Sequence, residues 1–145
     1  MDMADRLGMA IKRAEQHLIR AKTDALTPIG LTVPQYAALL ALSEEPGISA
    51  AELARRCLVT PQTMTTVIRN LVAKEAVERR PHPSIGHVRQ VFLSDRGREL
   101  LAAADIEAVA VECRLAAAFS ESERRALVAL LDRCAEELGE GEEPR

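Results

Sequence analysis

One short segment of the sequence concentrates side chains that could recognise DNA. Residues 60–74 are predicted to form a helix with Thr60 as its N-cap and Pro61 at its first position, where a missing N–H costs nothing. Small or polar side chains share one face of this helix: Gln62, Thr65, Thr66, Arg69 and Ala73. The other face is apolar and is expected to pack inward: Met64, Val67, Ile68, Leu71 and Val72.

The polar face favours contact with base edges. Exposed helix faces usually carry Glu and Lys pairs, whereas threonines permit close approach to bases and an arginine can bind guanine. The helix start, near Thr60, Gln62 and Thr63, offers N–H groups that suit a phosphate. The predicted DNA contacts on this helix are Thr60, Gln62, Thr63, Thr65, Thr66, Arg69, Asn70 and Lys74. A solvated polar helix without a ligand is the alternative.

The distribution of charge supports a polyanionic partner. The whole chain carries a formal charge of −3, but nine Lys and Arg residues face four Asp and Glu residues between positions 51 and 98. That segment is therefore +5 and the remainder −8. A basic centre with acidic flanks attracts a polyanion to one part of the chain and discourages loose binding elsewhere.

A β-hairpin is predicted directly after this helix. Val77 and Arg79 alternate in an extended pattern, a loop of about six residues follows, and residues 88–93 resume the extended pattern. Two prolines, Pro81 and Pro83, are expected to block ladder pairing at the tip. Its predicted DNA contacts are Arg79, Arg80, His87 and Arg89.

Earlier capping signals place this helix within a larger unit. Thr32 with Gln35 and Ser49 with Glu52 have the spacing of capping boxes, so each pair predicts a helix start. The helix that begins after Ser49 ends near Cys57, and a tight turn joins it to the helix described above. Two short helices joined by such a turn and followed by a hairpin form a winged helix-turn-helix.

Helices with apolar stripes are predicted on both sides of this core. One spans residues 5–25, another residues 94–118, and a third begins after a capping box of Ser120 and Glu123. Residues 139–145 are acidic and predicted to fray. The predicted fold is mainly α with a small β-hairpin wing: a winged helix-turn-helix core plus N- and C-terminal dimerisation helices, since the stripes need a partner.

The sequence resembles the multiple-antibiotic-resistance regulator (MarR) family. The similarity is carried by residues 52–71, by Leu31-Thr32 with Gln35, and by the stretch from Arg79 to Gly97. It implies N- and C-terminal dimerisation helices (residues 1–30 and 99–145) around a DNA-binding core at residues 31–98. The resemblance also implies a homodimer on a palindromic operator, usually a repressor, that is often released by a small aromatic or phenolic effector.

The sequence departs from the family pattern at two places. The wing usually carries Asp-Gly-Arg or Asp-x-Arg near its tip, and the aligned positions here are Ile85 and His87, so Arg89 is expected to substitute. An imidazole at position 87 would strengthen DNA binding at low pH. The glycine expected after the recognition helix is Glu75, which predicts a less sharply turned helix end.

An effector site is predicted from the resemblance, because ligands in the family lodge between the dimer helices and the DNA-binding core. His17 and Tyr36 could orient a polar ring, and Arg20 could hold a carboxylate. A solvated histidine and a core tyrosine are the alternative. The three histidines show no metal-ligand spacing, so no metal or cofactor is expected. Three widely spaced cysteines predict neither zinc nor disulfides.

Other classes of protein lack sequence support. No phosphate loop, nucleophile elbow or HExxH pattern is present, so an enzyme is not expected. The longest apolar run, residues 36–42, is too short for a membrane span, and without a signal peptide the chain is expected in the cytoplasm. Two further hypotheses stay open: a redox-responsive regulator, and a winged helix that binds proteins and lacks a working ligand pocket.

Overall fold

The computed structural model describes residues 2–3 and 6–139. Within these residues the chain forms six α-helices, a 3-10 turn at Thr27–Ile29 and one antiparallel hairpin. The helices are α1 (Leu7–Leu26), α2 (Val33–Glu44), α3 (Ala50–Arg56), α4 (Pro61–Ala73), α5 (Asp95–Ala116) and α6 (Glu121–Gly139). The strands are β1 (Val77–Pro81) and β2 (Arg89–Leu93). The mainly helical class with a hairpin is confirmed. The predicted helix start at Asp5 and the tail at residues 140–145 lie outside the described residues.

The chain divides into two compact units, Met1–Val109 and Ala110–Arg145. The first holds the core, to which α2, α3, α4 and the hairpin contribute. Its fully buried large side chains are Leu26, Leu39, Leu42, Leu53, Met64, Leu71 and Val91. Aliphatic side chains therefore fill this core, as the scarcity of aromatic residues requires.

The predicted helix caps are present, with one difference. Thr32 and Gln35 form a complete capping box at α2, and Ser120 and Glu123 form one at α6. At α3 the Ser49 hydroxyl accepts from the amide of Glu52, but the Glu52 carboxylate pairs with Arg55. The capping box predicted there is therefore half-formed, because the nearby guanidinium binds the carboxylate.

The end of α4 is sharply turned, so the expectation of a loose end at Glu75 is wrong. Glu75 adopts a left-handed backbone conformation (φ 58°), which glycine usually supplies at this position. Its amide donates to the Val72 carbonyl and the next amide, of Ala76, donates to the Leu71 carbonyl, both at 2.9 Å. These are the two bonds of a Schellman motif. Packing of the buried Leu71 and Ala76 imposes a conformation that costs a non-glycine residue about 1–2 kcal/mol.

The start of α5 binds the carbonyl groups at this turn. Ser94 donates through its hydroxyl to the Glu75 carbonyl (2.5 Å) and through its amide to the Ala76 carbonyl (3.0 Å). Arg96 donates from Nε to the Lys74 carbonyl at 3.0 Å. Gly97 packs so closely that a Cβ atom there would lie 2.0 Å from the Ala76 oxygen. The end of α4 and the beginning of α5 therefore form one joint.

The hairpin is held against the α2–α3 connection. β1 and β2 pair from Val77↔Leu93 to Pro81↔Arg89, so Pro81 belongs to the strand and the expected interruption begins after it. Pro81 is tolerated because it is the terminal residue of its strand. On the other edge of β2, the Gly47 amide donates to the Val91 carbonyl (3.0 Å) and the Val91 amide to the Ile48 carbonyl (3.1 Å). These bonds fix the base of the hairpin.

The flanking helices leave apolar side chains uncovered. In the first unit α1 buries only Leu26 among its described side chains, and its predicted stripe is exposed or half-buried. In the second unit α6 buries none of its described residues, and Leu127, Leu130 and Leu131 are exposed by 41–49%. Among the described residues no single helix is long and apolar enough to cross a bilayer. Only α1 with its 3-10 turn, taken together with α2, reaches that length and apolarity, and a bend of 79° separates the two.

Gly97→Ala should destabilise the fold by about 1–3 kcal/mol, because the added methyl group meets a backbone carbonyl that cannot rotate away. Gly8→Ala is the matched control, since a Cβ at Gly8 in α1 meets nothing within 4 Å. Alanine should leave stability unchanged or raise it there. Urea denaturation at equal protein concentration measures both changes, and equal midpoints for the two variants would contradict the close packing at Gly97.

Candidate DNA interface

Helix α4 separates an apolar face from a polar one nearly as predicted. Met64, Val67, Ile68 and Leu71 are buried. Val72 is 40% exposed, so the prediction that it packs inward is wrong. The exposed polar residues are Gln62, Thr63, Thr65, Thr66, Arg69 and Asn70. One face of α4 is therefore available to a ligand.

The threonine hydroxyl groups of this face donate back to the helix. Thr65 donates to the Pro61 carbonyl at 2.9 Å, and Thr66 donates to the Gln62 carbonyl at 3.3 Å. Their methyl groups and oxygen lone pairs remain for an outside partner. A thymine methyl group and a base amino donor are the matching features in the major groove.

Thr60 acts within the helix start. Its oxygen accepts from the Thr63 amide at 3.1 Å, and its hydroxyl donates to the Thr63 hydroxyl at 3.0 Å. The predicted phosphate site is therefore smaller than expected, because the Thr63 amide already has an acceptor.

The turn before α4 has an unusual residue. Leu58 has φ 55° and is 92% exposed. Its amide donates to the Arg55 carbonyl (3.2 Å) and the Val59 amide donates to the Ala54 carbonyl (3.1 Å), which is a second Schellman motif. The angle between α3 and α4 is thus fixed by backbone bonds.

Lys74 was predicted to contact DNA, and the structure gives it another role. Its ammonium donates to the Gly30 carbonyl and, at 3.0 Å, to Oε1 of the buried Gln35. One acceptor lies before α2 and the other in its first turn, and together they hold the Lys74 ammonium at the C-terminal end of α4. These bonds make Lys74 less available to DNA than the sequence suggested, and its contact with DNA stays a prediction.

The pairing register divides the arginines of the hairpin between its two faces. Arg79 lies opposite Val91, and Arg89 lies two positions from Val91 on the same strand, so both project from one face. Arg80 projects from the other face. Arg79 and Arg89 therefore form the exposed cationic pair of the wing.

Arg80 is held by contacts within the hairpin, so it is less available to DNA than Arg79 and Arg89, and its contact with DNA stays a prediction. Its guanidinium lies 4.5 Å from the centre of the Phe92 ring and pairs with Glu78 at 2.9 Å. Phe92 in turn packs on Gly47, where a Cβ would lie 2.9 Å from the ring. Gly47 has φ 81°, so glycine suits this position for its backbone as well as for its size. Arg80 therefore stabilises the hairpin.

Of the predicted effector residues, Tyr36 is the one with a defined polar contact. Tyr36 is 8% exposed and belongs to the core, and its phenol donates to Asp105 of α5 at 2.6 Å. His17 and Arg20 are exposed on α1. Asp105 was missed by the sequence analysis because a contact across 69 positions leaves no local signal.

A cleft of about 500 Å³ lies in the first unit, between α2, β2 and the first half of α5. Its walls are mostly apolar, and Ser43, Arg98 and Asp105 supply polar groups. Arg98 pairs with Asp95 at 3.0 Å on the exposed surface. A cleft of this size can hold one small aromatic molecule.

Cys57 gives no support to a redox switch. Burial raises the pKa of the Cys57 thiol, although the nearby Arg56 charge opposes this effect. A thiol of raised pKa is less reactive, because the thiolate is the nucleophile. All three cysteines are free thiols. No group of three potential metal ligands occurs in the part of the chain that the structure describes.

Comparisons with known proteins agree with this geometry. The family model described as the MarR family matches residues 29–84. The HTH-type transcriptional repressor Rv2887 of Mycobacterium tuberculosis is 37% identical over 127 residues, which cover 88% of this chain and 91% of that protein. The chain belongs to the MarR family.

Solved structures of MarR family proteins share the fold. The transcriptional repressor CouR, bound to a 23-mer DNA duplex, has a TM-score of 0.84 and 27% identity, covering 92% of this chain and 94% of its own. The Mycobacterium tuberculosis Rv2887 complex with salicylic acid has a TM-score of 0.70 and 36% identity, covering 91% and 99%. As a member of the MarR family, this protein is a DNA-binding transcriptional regulator, and the predicted winged helix-turn-helix is confirmed.

Arg89→Ala should weaken binding to every DNA sequence. The slope of log affinity against log salt should fall by about one unit per half-site, as expected when one phosphate contact is lost. Arg80→Ala is the matched control, because Phe92 and Glu78 hold that guanidinium, and its slope should stay near that of the parent. Anisotropy titrations of a labelled duplex over a range of salt measure the slopes. Equal losses in both variants would show that the two faces of the wing act alike.

Proposed function

We propose that the protein represses transcription as a homodimer that binds a two-fold operator and is released by a small aromatic acid. The observation that carries this proposal is the exposed Thr65, Thr66 and Arg69 face of α4, joined at its end to a hairpin with a cationic pair. The site combines groups that can contact base edges with groups that can contact phosphates. It works in the cytoplasm without a cofactor or metal, and performs no catalysis.

The homodimer follows from the uncovered helices. Apolar side chains that stay exposed on α1 and α6 need a second copy to bury them, because each helix exposes several within its own unit. In this organisation residues 1–30 and 99–145 pair the chains, and residues 31–98 bind DNA. A symmetric dimer presents two copies of α4, which matches an operator with two-fold symmetry.

The effector is an aromatic ring that bears a carboxylate. Salicylic acid in the complex of the Rv2887 protein supports this chemistry. In this chain the cleft between α2, β2 and α5 offers apolar walls for a ring and the Arg98 guanidinium for an acid. Tyr36 and Asp105 border this region through their hydrogen bond, while His17 and Arg20 form a second candidate pair on α1. Because α5 binds the end of α4, a ligand against α5 can act on the DNA-binding helix.

Arg69→Ala should weaken binding to the best palindromic operator by about 1–3 kcal/mol and relax the preference at one base per half-site, since a guanine contact is lost. Selection of genomic fragments, followed by binding measurements on single-base variants, gives both quantities. The half-site centres should lie roughly ten base pairs apart. Random duplex DNA is the control.

An equal loss on operator and random DNA would make Arg69 a phosphate contact. Binding of a single copy to a site without symmetry would contradict the dimeric arrangement. Sedimentation of the free protein separates that result from simple misfolding, because a folded monomer and an unfolded chain differ in their frictional properties.

Salicylate should bind the free protein and lower its affinity for the operator. Arg98→Gln should weaken salicylate binding about tenfold, because a charge-assisted hydrogen bond is lost. Arg55→Gln is the matched control, since Arg55 forms the same kind of exposed ion pair three residues from its partner, but lies outside the cleft. Calorimetric titration without DNA measures both affinities. Equal affinities of the parent and Arg98→Gln would place the acid elsewhere.

A further inference from the structure

The loop at the tip of the hairpin is organised around the side chain of His82. Its Nδ1 atom accepts hydrogen bonds from the amides of Ser84 (3.0 Å) and Ile85 (3.1 Å). The loop is closed by the His82 amide, which donates to the Val88 carbonyl at 2.8 Å, and by the Val88 amide, which donates to the Ile85 carbonyl at 3.1 Å. Both contacts of Nδ1 require an imidazole nitrogen with a free lone pair.

This geometry fixes the protonation state of the ring. A neutral imidazole has one donor and one acceptor nitrogen, and the acceptor here is Nδ1. The proton therefore resides on Nε2, which is the remaining donor of the ring. His82 is half-buried, so the ring is accessible at the tip.

We propose that neutral His82 shapes the tip of the wing and offers its Nε2–H group to the DNA backbone. This inference rests on the proposed role of the hairpin in DNA binding and deepens it. His82 is thus a positioning residue for the loop and a direct contact for an acceptor oxygen of DNA. A phosphate or sugar oxygen fits this donor, whereas a base donor does not.

The hairpin itself places several cationic residues near the tip. Residues 79–90 contain three arginines and two histidines and no acidic residue. Arg89 pairs opposite Pro81, next to His82, on the face that it shares with Arg79; Arg80 lies on the other face with Glu78, and His87 is exposed in the loop.

Three variants test the proposal at one fixed pH and salt concentration. His82→Asn keeps an oxygen that can accept from the amide two residues ahead. His82→Ala removes the acceptor. Ser84→Ala is the control, because it changes a side chain of the same loop and keeps the amide that donates to Nδ1. Operator affinity is measured by anisotropy, and each variant is compared with the parent.

His82→Ala should bind the operator about three- to tenfold more weakly than the parent, because the tip loses both the acceptor at Nδ1 and the Nε2–H donor. His82→Asn, which keeps an acceptor, should lose less affinity than His82→Ala, and Ser84→Ala should bind like the parent. In the free protein, nitrogen NMR of the imidazole should report a bare Nδ1 and a protonated Nε2, with the Ser84 and Ile85 amides protected from hydrogen exchange.

The results separate this inference from the proposed function. A protonated Nδ1 in the free protein would overturn the inference without touching the role of the hairpin. A second result is that NMR shows the tip as proposed while His82→Ala binds DNA like the parent and Arg89→Ala binds more weakly. That result would overturn the contact of His82 with DNA. If neither His82→Ala nor Arg89→Ala lowers the affinity for DNA, the hairpin is not part of the DNA interface. That result would contradict this part of the proposed function.

Discussion

The joint between α4 and α5 is the contact on which the rest of the DNA-binding unit depends. The chain leaves α4 through a left-handed Glu75, and the three carbonyl groups at that turn bind Ser94 and Arg96 at the start of α5. Because Gly97 leaves no space beside the Ala76 carbonyl, neither helix can shift there without the other. The hairpin is continuous with this joint at both of its ends, so α4, the wing and α5 take their positions from one small set of backbone contacts.

This arrangement explains how a short helix and two strands can display selective groups. The hydroxyl groups of Thr65 and Thr66 donate to backbone carbonyls of α4. These bonds fix the side-chain rotamers and leave the methyl groups and oxygen lone pairs for an outside partner. The wing places Arg79 and Arg89 on one face and uses Arg80 to cover Phe92 on the other. Similar side chains thus take different roles, because the strand alternates its faces and an aromatic ring is available on only one of them.

Local patterns in the sequence predict the helices and strands and the exposed polar face of α4. Helix caps, apolar spacing and the proline positions act over a few residues, so Thr32, Ser49, Thr60 and Ser120 marked helix starts correctly. The roles of Lys74, Arg80 and Tyr36 depend on partners from other elements, and no local pattern contains them. The prediction of a loose helix end at Glu75 was wrong for a related reason. Residue propensity alone favours a loose end there, but the burial of Leu71 and Ala76 determines the backbone conformation of the turn. The His82 contacts are local, and the prolines on either side of it were the available signal.

Leu58 and Glu75 give α4 a further property. Both residues have positive φ, one at each end of the helix, and each carries a strain of about 1–2 kcal/mol that a glycine would relieve. Neither residue belongs to the polar face of α4. Glycine at these two positions could therefore raise the thermal stability of the protein without altering the operator it recognises. Evolution towards a hotter habitat could begin there.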